Sequence, residues 1–304
     1  MRYSLIIPHF NDPERLARLL RTVPTDRDGL EVIVVDDCSP DPSALDPLKE
    51  EWPRVRWMST TRNGGAGAAR NVGLEHARGM WLVFADADDE FLPGAFDVFD
   101  EHVGPGDELV YFLAEAVQEV DRSPSNRTDR MNELCLGYLD APSDKKLEAL
   151  KLGHVNPVAK VYSRDFIESV IGRFEETHVS NDVRFNVLAA VQATRIRVVP
   201  KTVYRLFRRK GSLTGAENVE ALLARMRVLG RVNQALEVLP VSGRMHAGGY
   251  LYRGLQQGPL VFFRVLREAF ANGLFWPMFR RLTIREVLGF VRRSRRAGSE
   301  RARM

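Results

Sequence analysis

Cysteine is nearly absent: Cys38 and Cys135 are the only two in 304 residues. That excludes a disulfide framework or a cysteine-based zinc site, and a reducing cytoplasm is the default compartment. Long apolar runs are absent too, because Arg264, Arg267 and Arg280 interrupt the best candidate, and no membrane span is expected. Met1 to Pro8 runs straight into a strand-like segment without the basic, apolar and small-residue order of a signal peptide. No internal repeat occurs, and the arginine-rich end is the one biased segment. What remains is an ordinary soluble composition, 44% apolar and 28% charged, long enough for one large or two small domains.

Lysine is missing from Pro240 to Met304, where 13 arginines stand against 3 glutamates. That tail carries +10 of a chain whose total is +4, so the remainder is acidic at −6. Its expected partner is anionic, a membrane surface rather than nucleic acid, since no nucleic-acid recognition motif accompanies the charge. Phe262, Phe263, Phe270, Phe275 and Trp276 interleave with the arginines. An interfacial helix at the inner face of the membrane and a helical bundle with a solvated end both fit that pattern.

The first half alternates short β-branched runs with helical spacings. Tyr3 to Pro8, Leu30 to Val35, Val55 to Met58 and Met80 to Ala85 read as strands. Between them lie an Asn11-Asp12-Pro13 cap followed by Leu16, Leu19, Leu20 and Val23, a helix near Leu45 to Glu51, and an Ala-rich helix over Gly67 to Ala77. Such alternation predicts an α/β fold with a mostly parallel sheet flanked by helices. Further on, Leu109 to Leu113, Arg195 to Val199 and Thr202 to Phe207 read as strands. Asp144 to Leu152, Arg164 to Ile171 and Asp182 to Val191 read as helices, and Asp121 to Asp129 as an exposed loop. Beyond Gly215 the chain reads as helical, with Leu222, Met226, Leu229, Val232 and Leu236 on one buried face.

In a parallel sheet, ligands bind beyond the carboxyl ends of the strands. That rule lines up Pro8 to Phe10, Asp36-Asp37, the loop Thr61 to Gly67, and Asp86 to Asp89. The carboxylates Asp86, Asp88 and Asp89 suit a hard divalent cation, Mg2+ or Mn2+; a polar turn with Asp89 capping a helix that begins at Pro93 explains them equally well. Adjacent Asp36 and Asp37 need donors, either a base N–H or the amides of the next turn. The run Arg62-Asn-Gly-Gly-Ala-Gly-Ala-Ala-Arg-Asn71 places glycines before a helix, where backbone N–H groups can face phosphate. His154, His178 and Trp81 read as structural, whereas His9 lies on the same edge as the aspartates.

The order Ser4-Leu-Ile-Ile-Pro8, Val34-Val-Asp-Asp-Cys-Ser39, Arg62 to Asn71, and Phe84-Ala-Asp-Ala-Asp-Asp89 resembles the family 2 glycosyltransferases of GT-A fold, over roughly residues 1–215. The resemblance implies a catalytic domain over 1–215, with a nucleotide-binding half to about 115 and an acceptor half over 116–215, followed by a basic helical extension over 216–304. It implies inverting transfer of a sugar from a nucleotide-diphosphate donor, a UDP-sugar, to a glycan or lipid-linked glycan. By the same resemblance Pro8, Phe10 and Asp36 or Asp37 border the base, Arg70 approaches the nucleotide, and Asp86 and Asp88 form the pair that meets ribose and metal. Asn181-Asp182 stands where the family has Glu-Asp, which makes Asp182 the expected general base, with Glu175, Glu176 or a plain helix-capping role as alternatives. Tyr204 to Thr214 resembles the segment that closes over the diphosphate, with Arg208, Arg209, Lys210 and Ser212 as its polar groups. A nucleotidyltransferase and a non-catalytic sugar-nucleotide-binding or scaffold protein are the rival functions.

Overall fold

The computed structural model describes residues 1–170, 172–209 and 218–274. Lys210, Ser212 and the tail residues from Phe275 onward lie outside them. The chain divides into two units, Met1–Ala216 with Gln234–Gly243, and Glu217–Asn233 with Arg244–Met304.

The first unit is built on one eight-stranded sheet. Its first half follows the expected alternation: β1 (Tyr3–His9), α1 (Pro13–Leu20), β2 (Leu30–Asp36), α2 (Asp46–Glu51), β3 (Arg56–Ser59), α3 (Ala66–His76) and β4 (Trp81–Phe84). These four strands are mutually parallel in the order β3-β2-β1-β4, and β1 and β2 are buried at every position. Burial on both faces is why they read as unbroken apolar runs. Helix α1 begins at Pro13 behind Asp12, whose side chain accepts from Arg15 N, and it buries Leu16, Leu19 and Leu20.

The second half is mixed. It comprises β5 (Glu90–Phe91), α4 (Ala95–His102), β6 (Leu109–Gln118), α5 (Asp129–Asp140), α6 (Asp144–Gly153), β7 (Lys160–Ser163), α7 (Arg164–Ser169), α8 (Val183–Gln192) and β8 (Ile196–Arg208). Strand β7 joins β4 and β6 antiparallel, β8 lies parallel to β6, and β5 closes the far edge antiparallel to β8. The two expected strands around Pro200 are one bent strand, β8, whose register with β6 slips between Tyr111 and Ala114. A register irregularity accommodates a proline that a regular ladder cannot. The expected helix start at Pro93 moves to Ala95, because Gly94 takes a left-handed backbone (φ 77) as its cap. Met80 lies outside β4 and is 59% exposed, so the buried run starts one residue later than its apolarity suggests.

The stretch 121–129 is more ordered than an exposed loop. Arg122 pairs with buried Glu90, Arg127 Nη1 donates to Phe207 O, and a 3-10 turn at Asn126–Thr128 leads into α5, a helix the sequence pattern left unassigned.

The second unit contains most of α9 (Val219–Leu236), α10 (Gly248–Gln256) and α11 (Pro259–Ala271). Leu222, Met226, Leu229, Val232 and Leu236 are buried as their spacing requires. Among the described residues no helix is long and apolar enough to cross a membrane.

Candidate active site

Parallel pairing brings the ends of β1, β2 and β4 to one edge: His9 is in register with Asp36, and Ala85 N donates to Ile6 O at 3.2 Å. Pro8 is buried within β1, whereas Phe10 just past it is 45% exposed.

At the end of β2 every aspartate oxygen finds a donor in the protein. Cys38 adopts a left-handed backbone (φ 60), turning the chain so that Ser39 N and Ser39 Oγ both donate to Asp36. Asp12 N donates to His9 Nε2, which leaves the ring proton on Nδ1 to bond Asp36 at 2.8 Å. Burial alone raises the Asp36 carboxyl, but the Ser39 and His9 bonds outweigh it and hold Asp36 below its ordinary range. Asp37 accepts from Gly64 N (3.1 Å), Gly65 N (2.6 Å) and Thr60 Oγ1 (3.0 Å). The Gly64 and Gly65 amides are therefore spent on Asp37. The close approach that the glycines permit is to the chain's own segment 175–177: a Cβ on Gly67 would lie 2.1 Å from Glu175 O, and one on Gly65 2.7 Å from Thr177 O.

The end of β4 is the opposite case. Carboxylate oxygens of Asp86, Asp88 and Asp89 all lie within 4.8 Å of one another. Asp89 is fully buried; its Oδ1 accepts from Phe207 N on β8 at 3.0 Å, and its Oδ2 has no partner. The helix-cap reading of Asp89 therefore falls, since Gly94 caps α4. Burial, then the carboxylates of Asp88 and Asp86, push Asp89 well above its usual range. Burial and the Asp86 charge also raise Asp88, against Arg127 and Arg209. Asp86 N donates to Tyr204 Oη at 2.9 Å, and Arg18 Nη2 donates to Asp88 O, fixing the backbone of the cluster. Hard oxygen donors, mutually repelling and with one buried oxygen orphaned, fit a hard divalent cation such as Mg2+ or Mn2+.

Arg70, buried on α3, ties this cluster to the other half of the sheet. Its guanidinium donates to Asp86 at 2.5 Å and to Asn181 Oδ1 at 2.9 Å and lies 5.2 Å from the centre of the Phe174 ring. Asn181 thus receives a hydrogen bond from Arg70 where a glutamate would form an ion pair. The next residue, Asp182, is half-buried at the N-cap of α8, yet its side chain caps no backbone amide. Burial raises the Asp182 carboxyl, with Arg70 and Lys160 opposing and Asp86 adding to the rise. A carboxylate held above its usual range accepts a proton more readily. Glu176 instead pairs with Arg62 at the surface, at 2.6 Å.

Arg209, the last described residue of its segment, sits between Asp88 and Asp12 at 3.9 and 3.7 Å. Ser212 lies outside the described residues. Asp86, Asp88, Arg70 and Arg209 are thus joined by direct contacts, with Asp182 one residue from Arg70's partner. His154 is buried and His178 exposed, and Trp81 is buried in the core. Arg18 and Arg127 were not foreseen; they reach the cluster from α1 and the 3-10 turn, and no local motif announces them, whereas Tyr204 on β8 opens the segment singled out by resemblance.

Three comparisons bear on this geometry. The profile of the family described as Glycosyl transferase family 2 matches residues 4–171, more than half of the chain. The succinoglycan biosynthesis protein ExoO of Rhizobium meliloti is 27% identical over 234 residues, 73% of this chain and 66% of that protein. The poly(ribitol-phosphate) beta-N-acetylglucosaminyltransferase TarS of Staphylococcus aureus is 32% identical over 111 residues, 34% of this chain and 19% of its own length. The chain therefore spans less than two thirds of these relatives. Among solved structures, TarS 1-349 in complex with UDP-GlcNAc matches with a TM-score of 0.61 at 20% identity, over 94% of this chain and 77% of that one. The mannosyltransferase PcManGT of Pyrobaculum calidifontis, in complex with GDP-Man and Mn2+, matches at 0.53 and 18% identity, over 91% of this chain and 81% of that one. The fold is the mixed α/β fold of GT-A glycosyltransferases.

Proposed function

Because the chain belongs to glycosyl transferase family 2, we propose that it is an inverting glycosyltransferase moving a sugar from a UDP-sugar to an acceptor hydroxyl in surface polysaccharide or glycan assembly. The observation that carries this reading is the Arg70 bridge, which sets an acidic cluster suited to a metal beside a loop bearing a carboxylate with a raised pKa.

In this reading the exposed Phe10 ring, next to buried Pro8, offers a face for the base. Asp36 and Asp37 border the base as supports, their oxygens being already engaged. Asp86 and Asp88 hold Mg2+ or Mn2+, with Asp89 behind them, and the ion when bound supplies positive charge to the departing diphosphate. Asp182 takes the acceptor proton as the acceptor oxygen bonds the anomeric carbon and the electron pair of the broken bond leaves with the diphosphate. Attack opposite the diphosphate inverts the centre. Arg209 faces the diphosphate, and Arg70 holds the metal strand and the Asp182 loop in one frame; Ser212 keeps only the role that the family resemblance implies. In this reading the catalytic part covers 1–215 and an extension covers 216–304, whose described residues form α9, α10 and α11.

The donor class rests on the UDP-GlcNAc bound to TarS, and the pathway class on the name of ExoO. Helix α11 exposes Leu260 (82%) and Phe263 (63%) beside Arg264 and Arg267, which suits peripheral attachment to an anionic membrane carrying a lipid-linked acceptor. Co-sedimentation with vesicles containing anionic lipid, lost in Phe263→Asp, is the expected result.

The central test measures binding and hydrolysis of UDP-GlcNAc, UDP-glucose and UDP-galactose with and without Mn2+. Asp182→Asn is expected to bind one of them as wild type does and to turn it over at least about a hundredfold more slowly. Full turnover by Asp182→Asn sinks the base assignment. The rival reading, a non-catalytic binding protein, is favoured by Asn181 standing where the family has glutamate; wild-type binding with no turnover or transfer would establish it.

A further inference from the structure

Behind Asp182, away from the acidic cluster, lies a buried amine with no acid bound to it. Lys160 on β7 is 1% exposed, and its Nζ donates to His154 O at 2.7 Å and Asn186 Oδ1 at 3.1 Å, with the Tyr111 ring centre 4.8 Å away. Among the described residues no carboxylate forms an ion pair with it. A lysine is rarely buried so completely without one, because losing water penalises its charge.

Asn186 connects this amine to the loop. Lysine is purely a donor, so the amide oxygen must face Lys160, and Tyr162 Oη donates to the same oxygen at 2.6 Å. The other end of the amide, Nδ2, donates to Asp182 O at 2.9 Å, and Asn186 N donates to that oxygen at 3.0 Å. The backbone that carries Asp182 is therefore clamped by one side chain whose orientation the lysine dictates.

We propose that Lys160 is a positioning residue for the reaction, acting through Asn186 to hold the Asp182 backbone and lending its positive charge to the Asp182 carboxylate. The inference rests on Asp182 being the general base. The groups facing Asp182 are Arg70 from α3, Asp86 from the end of β4, and Lys160 and Tyr162 from β7. Those facing Lys160 are His154, Tyr111 from β6, Cys135 from α5 and Asp182 itself. Cys135 is held protonated by burial, its thiol pushed up to about 12, and burial keeps His154 neutral. Asp182 is thus the acid through which Lys160 acts. Burial also brings the Lys160 amine down to about 7, so its charge is present below that pH and fades above it.

Lys160→Gln keeps a donor for His154 O and Asn186 Oδ1 without the charge, and Lys160→Met removes both. The carboxyl carbon of Asp182 is titrated by NMR in metal-free protein, its resonance assigned by its loss in Asp182→Asn. Without the nearby cation the charged carboxylate is less favoured, so the Asp182 pKa rises by about half to one unit in Lys160→Gln. The acidic limb of kcat/KM for donor hydrolysis moves to higher pH by the same amount, with donor affinity unchanged. A wild-type Asp182 titration and acidic limb in Lys160→Gln overturns the proposal, whatever Lys160→Met does to folding. If instead Asp182→Asn retains full turnover, the base assignment has failed first, and the two failures are told apart.

Discussion

Two parallel strands that flank β1, β2 and β4, both end in aspartates at the same edge of the sheet, and they meet opposite fates. At the end of β2 the protein supplies every donor: Ser39 and His9 for Asp36, and Thr60, Gly64 and Gly65 for Asp37. At the end of β4 three carboxylates crowd together, Asp89 Oδ2 has no partner, and Asp88 and Asp89 are both raised. Similar residue pairs at similar positions are scaffolding in one place and an unsatisfied receptor in the other. The number of acids says little; the number of donors already committed to them separates the two.

The largest effect that sharpens this contrast is on turnover. Asp88→Ala is expected to lower kcat/KM for donor turnover about a thousandfold while leaving metal-free stability unchanged or improved. Chemical denaturation alongside the kinetics checks both halves; a variant that turned over normally but unfolded early would invert the comparison. Next comes Asp37→Ala, which orphans the two buried amides of Gly64 and Gly65 and should cost about 3 kcal/mol in urea unfolding.

A smaller effect lies in the pH dependence. A carboxyl raised in the folded state favours folding when protonated, so its contribution is complete below its unfolded value and is lost as pH rises through the folded one. Metal-free wild type should therefore lose stability relative to Asp88→Asn as pH rises above the ordinary aspartate range, because burial and the Asp86 charge raise Asp88 in the folded state. Asp36, held low, works in the reverse sense and loses its contribution as pH falls. Calorimetry in two buffers of different ionisation enthalpy should also show protons released as Mn2+ binds. The smallest effect is at the rim: Arg62→Ala, which removes the exposed pair with Glu176, should change stability by less than about 0.5 kcal/mol.

Much of the first half was legible because β1, β2 and β4 are buried at every position and run into polar residues, so pattern and boundary coincide. The second half was harder. Pro200 looked like a break because a bulge is invisible without the partner strand. Helix α5 went unassigned although it buries Met131, Leu134 and Cys135. In the site, Asp86, Asp88 and Asp182 could be named from local motif and family resemblance. Arg18, Arg127, Asn186 and Lys160 act through contacts between distant elements, and no spacing in the sequence records them. The glycine loop has a role that its sequence does not record: the Gly64 and Gly65 amides serve Asp37, and the missing side chains make room for the chain itself.

That last feature reaches beyond the fold. Gly65 and Gly67 let α3 press against 175–177, and Arg70, one turn on, grips both Asp86 and Asn181. The two sides of the candidate site are consequently joined along one seam. A chimaera that imports the 173–193 segment from another family member must bring its α3 partner with it, whereas an exchange of the 119–128 loop leaves that seam untouched.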